Sequence, residues 1–248
     1  ENIAAFICEP VIGTSAAASV PPPEYFPMVR DICDRYDVLL IADEVLCGYG
    51  RAGRYLALEH WNVTADLVTL GKGLGGGYTP IAVVLIHEKI HRVFLENWGK
   101  FIHGYTYQGN PVSCAGGIAV NRYLRENNLF AQVELKGALL RDKLVDLFNR
   151  YDIVGDVRGI GLLMGLELVK DRNTKESFSA SLGVAERARE AAMEEGLVVY
   201  TGVGGTADVV PRDYLIIAPP FIINEDEIEL LVQALERTLQ KITRELRG

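Results

Sequence analysis

The chain has 248 residues, a formal charge of −8, 49% hydrophobic and 23% charged residues. That is the balance of an ordinary water-soluble protein, with length for one large domain or two smaller ones. An acidic surface disfavours nucleic acid and anionic membranes as partners, and no apolar run reaches the roughly 20 residues needed to span a bilayer. Cys8, Cys33, Cys47 and Cys114 are scattered without a Cys-x-x-Cys pair, which reads as reduced thiols of a cytoplasmic protein. The amino end has no signal-peptide pattern. It opens on Glu1-Asn2 and runs at once into an apolar strand, as expected of a chain entered partway through.

Ile3 to Cys8 is a continuous apolar run closed by Glu9-Pro10 and reads as a buried strand. A Gly-, Ala- and Ser-rich loop leads to Pro21-Pro22-Pro23. Glu24 to Tyr36 then has helical spacing, with Pro27 in the first turn, where it is tolerated. Val38 to Ala42, Leu67 to Leu70 and Ile81 to Ile86 are further apolar strands. Helices are expected over His87 to Trp98, Pro111 to Asn127 and Leu129 to Tyr151. Val154 to Leu168 reads as strand, turn, strand. A helix over Ser179 to Glu195, strands over Leu197 to Tyr200 and Tyr214 to Ala218, and a last helix over Asn224 to Arg247 with Asn224 as its N-cap complete the reading.

Strands alternating with helices predict an α/β fold whose sheet is largely parallel and covered on both faces. The domain reading is a large domain over residues 1–112, connecting helices over 113–150 and a smaller α+β domain over 151–248. In such sheets ligands sit at the carboxyl ends of the strands. Glu9, Asp43 and Lys72 each stand at or just past such an end, so all three are expected along one edge. Lys72 lies between Gly71 and Gly73, which present one amine where another molecule can approach and allow a path with positive φ. Taken alone it reads as a solvated loop lysine; beside Asp43 it reads as an imine-forming nucleophile. Pyridoxal phosphate demands this pair, because its ring is an electron sink only when a carboxylate holds the pyridine nitrogen protonated.

Glu9-Pro10-Val11, Ile41-Ala42-Asp43-Glu44-Val45, Gly48-Tyr49-Gly50-Arg51-Ala52-Gly53, Gly71-Lys72-Gly73 with Gly75-Gly76 and Pro80, Thr106-Tyr107-Gln108-Gly109-Asn110-Pro111, Arg158-Gly159-Ile160-Gly161 and Ala218-Pro219-Pro220-Phe221 follow one another in this order. This series resembles the class III pyridoxal-phosphate aminotransferases over nearly the whole chain. Leu46-Cys47 after Asp43-Glu44-Val45 is similar to the amine or ω-amino-acid:pyruvate branch. The resemblance implies fold type I, pyridoxal 5'-phosphate as cofactor, and amino transfer from an amine or ω-amino acid to a keto acid such as pyruvate, in a ping-pong cycle. By it, Lys72 forms the Schiff base and carries the proton, Asp43 pairs with the pyridine nitrogen, and Val45 packs on the ring. Thr106 would bind the cofactor phosphate of the neighbouring subunit in a homodimer with shared active sites. Glu9 would lie near the substrate, and Arg212 is placed roughly where the family receives a carboxylate. The family's upstream phosphate-binding turn and stacking aromatic residue are not in this sequence.

Thr106 has a plainer reading, as a hydroxyl capping the helix from Pro111. An aminomutase or racemase on the same scaffold, or a catalytically silent dimerising scaffold, are the other functions weighed. His87-Glu88-Lys89-Ile90-His91 matches His-Glu-x-x-His, the spacing of two zinc ligands and a glutamate base. It lacks a third ligand in the following turns, so no metal is expected. The glycines at 73–77 make neither a Gly-x-x-x-x-Gly-Lys-Ser/Thr phosphate loop nor a dinucleotide fingerprint.

Overall fold

The computed structural model describes residues 2–202 and 213–247. The chain divides into two compact units, one of Glu1–Pro10 with Pro21–Phe130, the other of Val11–Val20 with Ala131–Gly248. The helix of 129–150, read from the sequence as a connector, therefore lies almost wholly in the second unit.

In the first unit, strands β1 (Ala5–Cys8), β2 (Leu39–Asp43), β3 (Leu67–Leu70) and β4 (Val83–Ile86) form one sheet in sequence order. β1, β2 and β3 are parallel, and β4 is antiparallel to β3. Helix α1 (Tyr25–Tyr36) makes the crossover from β1 to β2 and buries Phe26 and Cys33, as parallel pairing requires. It stops at Asp37, whose φ of 54° is left-handed and whose N–H closes on the Cys33 carbonyl. Leu40, Ala42, Val68 and Leu70 are buried, and their alternation along β2 and β3 gives the sheet one dry face. β1 departs from the buried strand expected: Phe6 is 38% and Ile7 59% exposed, and β1 is the first strand in the order of the described sheet. Helices α2 (Glu88–Trp98) and α3 (Pro111–Glu126) follow β4. Among the described residues no helix is long and apolar enough to cross a membrane.

One buried carboxylate locks this sheet. Asp66, 3% exposed, precedes β3. Its N–H donates to the Leu40 carbonyl at 2.8 Å, and its Oδ2 accepts the Leu40 N–H at 2.7 Å. Arg30 of α1 donates to the same oxygen at 2.9 Å, and Lys89 of α2 pairs with the other. Burial pushes the Asp66 carboxyl up, but the bonds from Lys89, the Leu40 N–H and Arg30 outweigh it and hold the group below its ordinary value.

A second carboxylate fastens the loop after β2. Glu44, 1% exposed, donates its N–H to the Thr69 carbonyl at 3.0 Å. Its carboxyl group accepts the N–H groups of Ala57 at 2.5 Å and Leu58 at 3.0 Å. Those residues open a 3₁₀ turn (Ala57–Trp61) whose Trp61 ring packs edge-on against Phe26 at 5.0 Å. The loop passes so close that a Cβ at Gly48 would stand 2.6 Å from Glu44 Oε2, so only glycine fits there. Burial pushes the Glu44 carboxyl up to about 7, against the two N–H groups it accepts.

The second unit is an antiparallel sheet in the order β5-β6-β8-β7, from β5 (Val154–Ile160), β6 (Leu163–Leu168), β7 (Tyr200–Thr201) and β8 (Tyr214–Ile217). Helices α4 (Leu129–Arg150), α5 (Val184–Glu194) and α6 (Glu225–Arg247) pack on it. α6 buries Ile228, Val232, Leu235, Leu239 and Ile242 at helical spacing. The cap expected at Asn224 is present as a capping box: Asn224 Oδ1 accepts the Glu227 N–H while Glu227 Oε2 accepts the Asn224 N–H. The single helix expected over Ser179 to Glu195 is broken by Gly183, whose φ is 53°. The strand expected at Leu197 to Tyr200 is reduced to Tyr200–Thr201. Arg172 donates to the carbonyls of Phe148, Tyr151 and Val154, closing the end of α4. Arg158 donates to the Ala17 carbonyl at 2.9 Å and to Asp156 at 2.8 Å, and pairs with Glu167. With Tyr214, which donates to the Thr14 carbonyl, it ties Val11–Val20 into this unit.

Two predictions follow from the buried acids of the first unit. Asp66 has a depressed carboxyl, so its contribution is present above the ordinary carboxylate range and lost as pH falls through the folded value. Asp66→Asn is expected to cost about 3 kcal/mol at pH 7 by urea denaturation, with the gap to the parent closing below pH ~4. Glu44 is the opposite case. With its carboxyl raised to about 7 from 4.5, the folded chain holds a proton the unfolded chain has lost. Its contribution is full below the unfolded value and falls as pH rises through the folded one. Relative to Glu44→Gln, which does not titrate, the parent is expected to lose about 3 kcal/mol between pH 4.5 and 7.5. Trp61 fluorescence through urea titrations at the two pH values measures both effects.

Candidate active site

The strand register decides which residues meet at the carboxyl edge of the first sheet. Cys8 pairs with Ala42, and Asp43 pairs with Thr69. Glu9, Asp43 and the segment running from Thr69 to Lys72 therefore come to the same edge. Lys72 opens a 3₁₀ turn (Lys72–Gly75) and its side chain is exposed. It lines an open cavity of about 710 Å³ with Gly77, Tyr78, Thr79, Pro80, Ile81 and Ala82. Beneath it the turn is held by the N–H of Leu74 on the Gly71 carbonyl at 2.9 Å and by burial of the Leu74 side chain.

Asp43 is half-buried at the last position of β2. Its Oδ1 accepts two hydrogen bonds, from the Val45 N–H and from Thr69 Oγ1–H, each at 3.1 Å. The carboxylate accepts no other hydrogen bond among the described residues, so Oδ2 keeps its acceptor capacity. Val45 leans over the backbone of Gly71: a Cβ there would lie 3.4 Å from Val45 Cγ1.

This edge fits pyridoxal phosphate. A carboxylate with one oxygen saturated and the other free can hold a protonated ring nitrogen, and a primary amine beside an open cavity can condense with an aldehyde. Glu9 lies half-buried just after β1. Thr106 is exposed in the turn that the Gln108 N–H closes on the Tyr105 carbonyl. It does not cap α3; Asn110 does, its Oδ1 accepting the N–H groups of Val112 and Ser113. Arg212 lies outside the described residues.

The His-Glu-x-x-His stretch is accounted for locally. His87 is not on the helix but caps it, its ring accepting the Lys89 N–H at 3.2 Å, so His87 and His91 do not share a helical face. Among the described residues no group of three or more His, Cys, Asp or Glu side chains could hold a metal ion. Two residues that the sequence reading passed over belong to this edge, Thr69 and Glu44. The signal for Thr69 was present as the one polar residue of the Leu67–Leu70 run, but the partner it faces is set by register. Glu44 gave only an acid next to an acid.

The family model described as aminotransferase class-III matches residues 1–239. An uncharacterized aminotransferase, YodT, of Bacillus subtilis is 40% identical over 99% of this chain and 55% of its own length. A putrescine–pyruvate aminotransferase of Pseudomonas aeruginosa is 36% identical over 97% of this chain and 50% of its own. An amine transaminase from an uncultivated Pseudomonas species, solved with pyridoxal phosphate bound, superposes with a TM-score of 0.87 at 35% identity, over 96% of this chain and 52% of that one. The chain thus spans about half the length of the relatives it matches. Together with the lysine and aspartate at one strand edge, these matches place the chain in the class III aminotransferase family, whose members depend on pyridoxal phosphate and have the fold type I architecture.

Proposed function

We propose that this chain carries the lysine-bearing part of an aminotransferase that moves an amino group from an amine or ω-amino acid to a keto acid such as pyruvate. The observation that supports it most directly is the half-satisfied carboxylate of Asp43 on the same sheet edge as Lys72. The names of the similar proteins, a putrescine–pyruvate aminotransferase and an amine transaminase, agree with an amine donor.

When bound, pyridoxal phosphate supplies an electron sink that acidifies the amine-bearing carbon of the donor. Asp43 Oδ2 keeps the ring nitrogen protonated, which that role requires. Lys72 Nζ would hold the cofactor through an imine and, as a free amine, would be the base placed to take the proton from the donor carbon. Val45 limits the ring face against Gly71. Glu9 at the end of β1 stands in a position to meet substrate, and Arg212 is the candidate for a substrate carboxylate.

Thr106 belongs to a second part of the proposal, a homodimer in which it meets the cofactor phosphate of the neighbouring subunit. Around it Trp98 is 57%, Ile102 66%, Tyr105 68% and Tyr107 82% exposed. So much apolar and aromatic surface in one stretch is what a subunit interface would cover.

Borohydride reduction in the presence of pyridoxal phosphate, followed by peptide mapping, is expected to leave the pyridoxyl group on Lys72. Lys72→Ala should abolish the label, and Asp43→Asn should retain it while lowering turnover by two orders of magnitude or more. A label on any other lysine overturns the assignment. Stoichiometric consumption of a keto acid separates amino transfer from an aminomutase or racemase on the same scaffold.

A further inference from the structure

β3 is apolar except for Thr69, and that exception stands opposite Asp43 in the parallel register. Paired residues on neighbouring parallel strands project to the same face, so the hydroxyl and the carboxylate meet directly. Thr69 Oγ1–H reaches Asp43 Oδ1 at 3.1 Å. The Val45 N–H, from the turn after β2, reaches the same oxygen at 3.1 Å.

The terminal torsion of an aspartate is soft and roughly two-fold. A single donor would hold one oxygen while the carboxylate plane swung about it. Two donors, one on β3 and one in the turn after β2, converge on one oxygen, fix the plane and decide which oxygen remains free. Thr69 is well suited to this task. Its χ1 is stiff because it is β-branched, and its own carbonyl is tied by the Glu44 N–H at 3.0 Å.

We propose that Thr69 is a positioning residue for the cofactor: its hydroxyl sets the rotation of the Asp43 carboxylate so that Oδ2 faces the protonated ring nitrogen of pyridoxal phosphate. Thr69 itself touches neither cofactor nor substrate. This rests on the proposed function, because it assigns to Asp43 the ring nitrogen as partner.

Thr69→Val removes the hydroxyl at nearly constant shape, and Thr69→Ser keeps the hydroxyl while removing the methyl group. Pyridoxal phosphate affinity is measured by the absorbance of the bound cofactor, and the thermal midpoint of the cofactor-free chain is measured alongside. T69V is expected to weaken binding roughly 10-fold, because the carboxylate plane is no longer set for the ring nitrogen, beside a modest fall in the cofactor-free midpoint from the lost bond itself. T69S is expected to stay within about 2-fold of the parent. If T69V does not fold, Thr69→Ala read against T69S makes the same comparison. Parent-like affinity in T69V overturns the inference, as does loss in T69S equal to that in T69V, which would assign the effect to methyl packing. The two levels of failure are distinct. A parent chain that takes no pyridoxyl label on Lys72 sinks the proposed function and this inference together. A parent labelled on Lys72 with an unaffected T69V sinks the inference alone.

Discussion

The bond pair between Asp66 and Leu40 is the constraint on which the site depends. Both peptide groups of Leu40 are committed to one residue, its carbonyl to the Asp66 N–H and its N–H to the Asp66 carboxylate. This fixes β2 against β3 at their amino ends. Side chains alternate with a period of two along a strand, so a slip of one residue would set Val68 or Leu70 opposite Asp43 and turn the Thr69 hydroxyl to the other face. Arg30 and Lys89 bring α1 and α2 to the same carboxylate. The amino edge of the sheet is thus closed by a fully satisfied charge, and the carboxyl edge inherits its register.

Three acids of this sheet show how environment assigns roles to one functional group. Asp66 is buried and meets two cations and an N–H, and it stays charged. Glu44 is buried with two N–H donors and, among the described residues, no cation bonded to it, and its carboxyl rises to about 7. Asp43 is half-buried, with one oxygen saturated and one free. The first two turn their carboxyl oxygens to backbone and cations of the sheet itself. The third turns both of its bonds onto one oxygen at the carboxyl edge, where α/β sheets bind their ligands.

The strand ends were legible in the sequence because apolar runs of four to six residues stop abruptly at Glu9, Asp43 and Gly71-Lys72. The parallel-sheet rule then put them on one edge without any knowledge of pairing. Residues whose meaning lies in pairing were not legible. Thr69 looks like a strand residue until the register sets it against Asp43, and Glu44 looks like a second exposed acid until Gly48 lets the loop close over it. The direction of β4 was equally hidden, since an apolar run carries no polarity. The cap of α3, read from the sequence as the Thr106 hydroxyl, falls to Asn110 because Asn110 directly precedes Pro111, which holds the first helical position.

The glycines around Lys72 turn out to serve a different end from the one their composition suggests. Left-handed backbone was expected of Gly71 or Gly73. Gly71 is instead extended, with φ of −167°, and it is Lys72 that takes a φ of 41°. A side chain in that region costs about 1 kcal/mol. Space does not demand the glycine at 71 either, since a Cβ there would meet Val45 Cγ1 at 3.4 Å, an ordinary van der Waals contact. The left-handed freedom of glycine is used at the other end of the turn, by Gly76 with φ of 58°. The strain at its start is carried by the residue proposed for the chemistry, with the Val45 side chain in contact range of the glycine before it.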